Sequence, residues 1–351
     1  MDSVAQEIDV ASSDTDEEGD PTTEAPAPPK ILYKTEYRNL RSKQVVFKED
    51  SSKKTRKSDK RLPIFEVVEV ILTLKTKPMP GEDSSGSKLP SVHSFGKSYI
   101  RIYSAAIITA LRAVVDYYPS IVLASDPITI DAPYAVLVHY EKELTEYKEA
   151  FKSSLLPSSG EECENKDTVE HLELLQNFVR EQVGESVDQE RKLHQRDRPV
   201  ATFNMLWLLL RPGTDIFYDT YSLGSLNGYV IERVDFQIQD SSISSYVVTL
   251  WNMAANYRCI GGWSRKVELT EFSGEKEIAA LDIFPCQYMT KERHGTTYDE
   301  RRSQLVQRGT MYFQLRRKRC MWFDGLSCYS PRHNVKTLHS PNIGQRDAYE
   351  L

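Results

Sequence analysis

The stretch "YVIERVDFQIQ", Tyr229 to Gln239, decides the fold. In an extended chain, Val230, Val234, Phe236 and Ile238 point one way, and Arg233, Asp235 and Gln237 point the other. A period of two with one polar side is the mark of a half-buried strand. Around it, "SYVVTLWNM", "RKVELTEF", "TMYFQLRR" and "KRCMWFDG" read as further strands separated by glycine-bearing turns, with one helix at 297–308. Just ahead, "ATFNMLWLLLRPGTDIFY" is an apolar run closed by a Pro-Gly turn, and both a strand and a buried helix fit it.

The first half has a different period. "PIFEVVEVILTL" is rich in β-branched residues and reads as a strand beginning near Leu62. After a Pro/Gly/Ser loop over 75–95, "YSAAIITALRAVVDYYP" places Ile107, Ile108, Leu111, Val114, Val115 and Tyr118 at helical spacing, with Pro119 as the stop. "ITI" at 128–130 is a short strand. "PYAVLVHYEKELTEYKEAF" reads as a second helix with Pro133 near its first turn, and "TVEHLELLQNFVREQV" as a third. The third gathers Val169, Leu172, Leu175, Phe178 and Val179 on one face. Helices leading and antiparallel strands following give an α+β class.

The chain divides into three regions. Residues 1–61 form an acidic, Pro-rich tail ending in the basic run "KKTRKSDKR", Lys53 to Arg61. Residues 62–330 form one α+β domain, and 331–351 a polar tail. The N-terminal tail has too little apolar surface to offset the entropy of ordering, so disorder is expected there. The basic run is a weak nuclear signal or a solvated linker, and nucleic acid is not the expected partner. The 351 residues include 19 tyrosines and four tryptophans, enough for a sizeable core, and the net charge is −6. No apolar run approaches the roughly 18 residues that cross a bilayer. The N-terminus lacks the basic segment of a signal peptide. Five cysteines without paired spacing suit reduced thiols, so an intracellular protein, cytoplasmic or nuclear, is expected.

One motif promises chemistry. "HSFGKSYIRI" contains Gly96-Lys97-Ser98, the end of a phosphate-binding loop. The full pattern needs a glycine five residues before Gly96, and Ser91 stands there. In "GEDSSGSK", Gly81 and Gly86 have the spacing but Ser87 takes the lysine position. A buried strand should precede the loop and a metal-binding aspartate should end another. Polar residues precede this one, and Asp282 in "AALDIFP" comes before its apolar pair. The cofactor-binding assignment to Gly96, Lys97 and Ser98 is therefore rejected. Lys97 is expected to face water, and Ser98 or Ser104 is expected to cap the next helix or strand.

No other constellation points to a reaction. His139 and Glu143 form one i,i+4 pair, short of the four ligands of a zinc site, so His139 reads as a hydrogen-bonded structural residue. Cys320, Cys328 and His333, with Cys286 and His294 upstream, have no zinc-site spacing and read as buried small residues. "GSLNG" at 224–228 has the spacing of a turn, not of a nucleophile elbow. "RRKRCMWF" reads as a strand with a solvated basic face. No catalytic residue, cofactor or metal is implied.

Several segments together carry a resemblance. They are "LRAVVDYYPS" followed by "ITIDAPYAVLVHYEKELTEY", then "LWLLLRPGTDIFY", then "NYRCIGGWSRKVELTEFSGEKEIAALDIFPCQYM", "LVQRGTMYFQL" and "MWFDG". Their order resembles the domain of unknown function that precedes the ATPase module in fungal AAA-type ATPases, over residues 62–328. Such proteins continue into an AAA+ motor, whose residues have no counterpart in this chain. The resemblance implies a non-catalytic interaction or recruitment domain that binds a protein partner, an AAA+ ATPase or its client. Two alternatives stay open: a fragment of an ATPase whose motor lies outside the chain, and an enzyme with an unrecognised pocket.

Overall fold

The structure is a computed structural model and describes residues 30–50, 62–74, 90–153, 162–219, 226–239, 242–255 and 260–315. It has two layers, each with its own sheet and core. In the first, β1 (Ile31–Asn39), β2 (Val45–Asp50), β3 (Phe65–Thr73), β4 (Ser94–Phe95), β5 (Tyr99–Ile102) and β6 (Ile128–Asp131) form one sheet. Its order is β2-β1-β3-β5-β6, with β4 also on β3. All its pairings are antiparallel except β1 with β3.

Strand β3 is central, and the β-branched run that marks it in the sequence is buried on both faces. One face packs Phe65, Ile100 and Ile102 against helices α1 (Ala105–Val114), α2 (Ala135–His139), α3 (Glu141–Ser153) and α4 (Glu162–Val179). Ser104 caps α1, its hydroxyl accepting from the Ile107 amide at 3.3 Å and lying 2.8 Å from His171 Nδ1.

Regular structure is already present at Ile31, well ahead of Leu62, which corrects the expected extent of the tail. The hairpin β1–β2 turns on Asn39, whose side-chain oxygen accepts from the Arg41 and Ser42 amides at 2.9 and 2.8 Å. Its charges look like solvated tail in the sequence because most of their partners are remote along the chain or across the hairpin. Glu36, 3% exposed, takes Arg38 at 2.7 Å and Lys48 at 2.9 Å. Glu66 on β3, 1% exposed, takes Lys34 at 2.6 Å, the Tyr103 hydroxyl at 3.0 Å and Arg101. Burial opposes the charge on both carboxylates, but these cations and hydroxyls outweigh it and hold both pKa values below the usual range.

The expected second helix is two, α2 and α3, broken at Tyr140. The third runs on through a π-helical turn at Arg180–Gly184 into α5 (Glu185–His194). The added residue of a π-turn rotates the helix face. Before the turn, Leu172, Leu175 and Phe178 enter the first core; after it, Val187 enters the second. Val179 and Val183 touch both cores.

The second layer opens with β7 (Val200–Thr202) and a 3-10 turn at Phe203–Leu208, which resolves the strand-or-helix question for that apolar run. Strands β8 (Asp215–Asp219), β9 (Leu226–Gln239), β10 (Ser242–Ala255), β11 (Ile260–Leu269) and β13 (Ile283–Pro285) form an antiparallel sheet of order β11-β10-β9-β8-β13, while β12 (Glu275–Glu277) pairs with β7. Arg265 on β11 lies 5.4 Å over the ring of Tyr218 on β8. Their backbones are three strand spacings apart, about 14 Å in a flat sheet, so the two long side chains reach toward each other across β10 and β9.

The alternation in β9 holds only in part. Val234, Phe236 and Ile238 pack on the second core, but Ile231 replaces Val230 there, because a bulge shifts the register opposite Thr249 and Leu250. An extra residue reverses which side chains face in. Two helices close the described chain, α6 (Lys291–His294) and α7 (Tyr298–Leu315). The expected strand from Thr310 is the end of α7. The segments 318–325 and 331–351 and the basic run Lys53 to Arg61 lie outside the described residues.

Candidate functional site

The two layers meet along a cleft of about 170 Å³. One wall comes from the first layer: Lys97 between β4 and β5, Asp131 at the end of β6, Tyr118 beyond α1 and His139 at the end of α2. The other is Trp207 of the 3-10 turn with Arg233, Asp235 and Phe236 of β9. The cleft thus collects two of the residues singled out in the sequence, Lys97 and His139.

Lys97 is not left to water. Its ammonium lies 3.3 Å from Asp131 and 4.5 Å above the ring of Phe236, tying the first layer to the second through an ion pair and a cation–π contact. Gly96 is explained by packing. Its amide donates to the Val70 carbonyl at 2.7 Å, and a Cβ there would stand 2.7 Å from Val70 Cγ1. That amide is spent on the central strand β3. Ser98 contributes its carbonyl, which accepts from the Ala132 amide at 2.8 Å. Glycine, lysine and serine in a row here serve a close strand approach, an interlayer ion pair and a backbone bond. Of the two expected caps, Ser104 is the one that caps.

His139 has both ring nitrogens engaged. Nε2 is 2.9 Å from the Trp207 carbonyl and Nδ1 is 3.1 Å from the Tyr118 hydroxyl. A carbonyl only accepts, so Nε2 carries the proton, and Nδ1 accepts from Tyr118. Burial, with Arg211 and Arg191 adding like charge, pushes the imidazole down to about 4 despite the Trp207 bond. Burial likewise raises the Tyr118 phenol, so both groups are neutral near pH 7. Glu143, the i+4 neighbour, turns to Arg211 at 3.1 Å. Arg211 also donates to the His139 carbonyl at 3.0 Å and stacks 4.0 Å over Tyr140. The histidine is a structural joint between layers, in keeping with its sequence context. Its partners Tyr118, Trp207 and Arg211 are not legible in the sequence, although an arginine closing a long apolar run, Arg211 before Pro212-Gly213, is the available hint.

The remaining candidates do not converge. Cys286 is buried, and desolvation pushes its thiol up to about 12. His294 stacks on Phe284 at 5.0 Å with Nδ1 on the Thr290 carbonyl at 3.2 Å, and Asp282 is exposed on the chain leading into β13. Cys320, Cys328, His333, Ser225 and the Gly81–Ser87 segment lie outside the described residues. Among the described residues there is no cluster of three or more metal-ligating side chains, and no helix long and apolar enough to cross a membrane.

A second surface lies at the β11 end of the second sheet. Among the described residues, β11 pairs with β10 alone. At the turn end of that hairpin Met253 is 63% exposed and Ile260 37% on one face, and Trp263 48% on the other. They share the tip of the hairpin, and large apolar groups gathered at one corner of a sheet mark an interaction surface more than scattered ones do.

Residues 191–290 match the model of a domain of unknown function, DUF7025. The match runs from the last turns of α5 to just before α6, and so coincides with the second layer. It contains Trp207, Phe236 and the β10–β11 hairpin, and leaves out Lys97, Asp131 and His139. No curated protein and no solved structure matches the chain.

Proposed function

We propose that this chain is a non-catalytic interaction domain that binds a protein partner by strand addition to β11. The observation that carries the reading is that edge: ten residues, Ile260–Leu269, paired on one side among the described residues, with exposed Ile260 and Trp263 on the strand itself and exposed Met253 beside it on β10. A free edge offers a row of backbone donors and acceptors to an extended segment, and neighbouring apolar side chains add specificity. The likeness of the chain to regions that precede AAA+ motors suggests the partner class, an AAA+ ATPase or one of its clients.

The test compares the full chain with a triple variant, Met253→Lys, Ile260→Lys and Trp263→Lys, in repeated affinity purifications from the native host. Circular dichroism and a melting curve establish that the variant is folded. The reading expects one protein recovered reproducibly by the natural chain and lost with the variant, with the ATPase or its client as its identity. Equal recovery by both chains, or none by the natural one, sinks it.

A further inference from the structure

The π-helical turn at Arg180–Gly184 borders a second cavity, of about 220 Å³, separate from the cleft and from β11. It opens between α2, α3, α4 and α5. Leu137, Leu144, Leu172, Leu175, Val183 and Val187 are among the apolar side chains that line it. A cavity of about 150 Å³ with such walls accommodates benzene. At the same volume per carbon, this one takes an apolar body of roughly nine carbons.

Polar groups stand at the mouth, and all but one have partners within the fold. Arg191 lies 2.9 Å from Glu141 and 3.8 Å from Asp188. Gln176 accepts from Lys148 at 2.7 Å and donates to Thr145 at 3.0 Å. Arg180 is exposed and has no ion pair or hydrogen bond among the described residues. Its place is set by the turn itself. Its Cγ would be 3.0 Å from a Cβ on Gly184, so the absent side chain lets the arginine stem lie along the helix. The uncommitted charge at the mouth is therefore a guanidinium, whose geometry matches a carboxylate.

We propose that this cavity binds a small amphipathic carboxylate, with an aliphatic tail of about nine carbons among the leucines and valines and its carboxylate on Arg180. π-Turns occur frequently at functional sites, and this one brings Val183 to the cavity wall and to both cores. Occupancy therefore bears on how the two layers pack.

Decanoate and 1-decanol are the probes, titrated calorimetrically against the full chain below their aggregation concentrations. Decanoate is expected to bind saturably at one site. Arg180→Gln, an exposed substitution, is expected to weaken decanoate about tenfold, the scale of one hydrogen bond to a charged group, and to leave decanol unchanged. Val183→Phe, which adds four carbons and by the same measure takes up nearly half the cavity, is expected to weaken both more than about tenfold. Should that variant fail to fold, methyl NMR of the natural chain reads the site directly, with decanoate shifting Val183, Leu144 and Leu175 first. No saturable decanoate binding, equal affinity in Arg180→Gln, unchanged affinity in a folded Val183→Phe, or shifts confined to other methyls would each overturn the proposal.

Discussion

Acidification should loosen the joint between the layers at His139, and the magnitude can be worked from its surroundings. The imidazole donates to the Trp207 carbonyl, accepts from the Tyr118 hydroxyl and sits near Arg211. Protonation would put a second donor against the Tyr118 hydroxyl and a second cation near Arg211. The folded pKa, about 4, lies below the ordinary 6.5. As pH falls, the unfolded chain therefore takes up the proton first. The contribution of this group is intact well above pH 6.5 and is lost progressively toward pH 4. A depression of about 2.5 units at 1.36 kcal/mol each limits the total to about 3 kcal/mol, and linkage places about 2 kcal/mol of it between pH 7 and pH 5.

The window matters because Glu36, Glu66 and Glu190 also have lowered pKa values, and their contributions fall mainly below 4.5. Burial also lowers His171, whose contribution likewise starts to fall as the pH drops through 6.5, so the measurement has to be a difference. Urea unfolding of the natural chain and of His139→Gln at several pH values between 7.5 and 5 supplies it. Glutamine offers one donor and one acceptor but does not titrate. The stability advantage of histidine should shrink by about 2 kcal/mol from pH 7 to pH 5. Parallel pH dependences would refute the reasoning, because they would mean that His139 titrates alike in both states.

Three further outcomes are expected. Gly96→Ala should destabilise by about 1–3 kcal/mol through its 2.7 Å approach to Val70 Cγ1, and a double-mutant cycle with Val70→Ala should recover part of the loss; additive effects would mean that the two do not collide. Glu66→Gln should cost about 3 kcal/mol at pH 7 by removing the buried negative charge that Lys34 and Arg101 pair with, and should flatten the acid limb below pH 4.5, both measurable by urea unfolding. Cys286, raised from 9.0 to about 12, should react with iodoacetamide about a thousandfold more slowly in the folded chain than in urea, followed by peptide mass spectrometry; fast native labelling would contradict its burial.

The elements legible in the sequence are those whose signal is local. The β-branched run at Phe65–Thr73, the α1 face and the core-facing stripe of α4 each come from the spacing of apolar residues along one segment. β1 and β2 are hidden because their charges look solvated until Glu36 is seen holding Lys48 of β2 and Glu66 of β3 holding Lys34 of β1. "TMYFQLRR" reads as a strand because its aromatic and β-branched residues favour one, but its described part, Thr310 to Leu315, ends the α7 helix. The bulge in β9 leaves no trace, since an extra residue is defined only against the partner strand.

By itself, then, the sequence determined the class: helical periods first, alternating strands after, and a phosphate-loop spacing already broken at Ser91. Only the tertiary structure decided what the suggestive residues do. Gly96 is small because Val70 lies against it, Lys97 pairs with Asp131 above Phe236, and His139 takes its tautomer from the Trp207 carbonyl. Periodicity is a property of neighbours along the chain, whereas pairing, packing and proton position depend on neighbours in space. For His139 and Trp207 those neighbours are 68 residues apart.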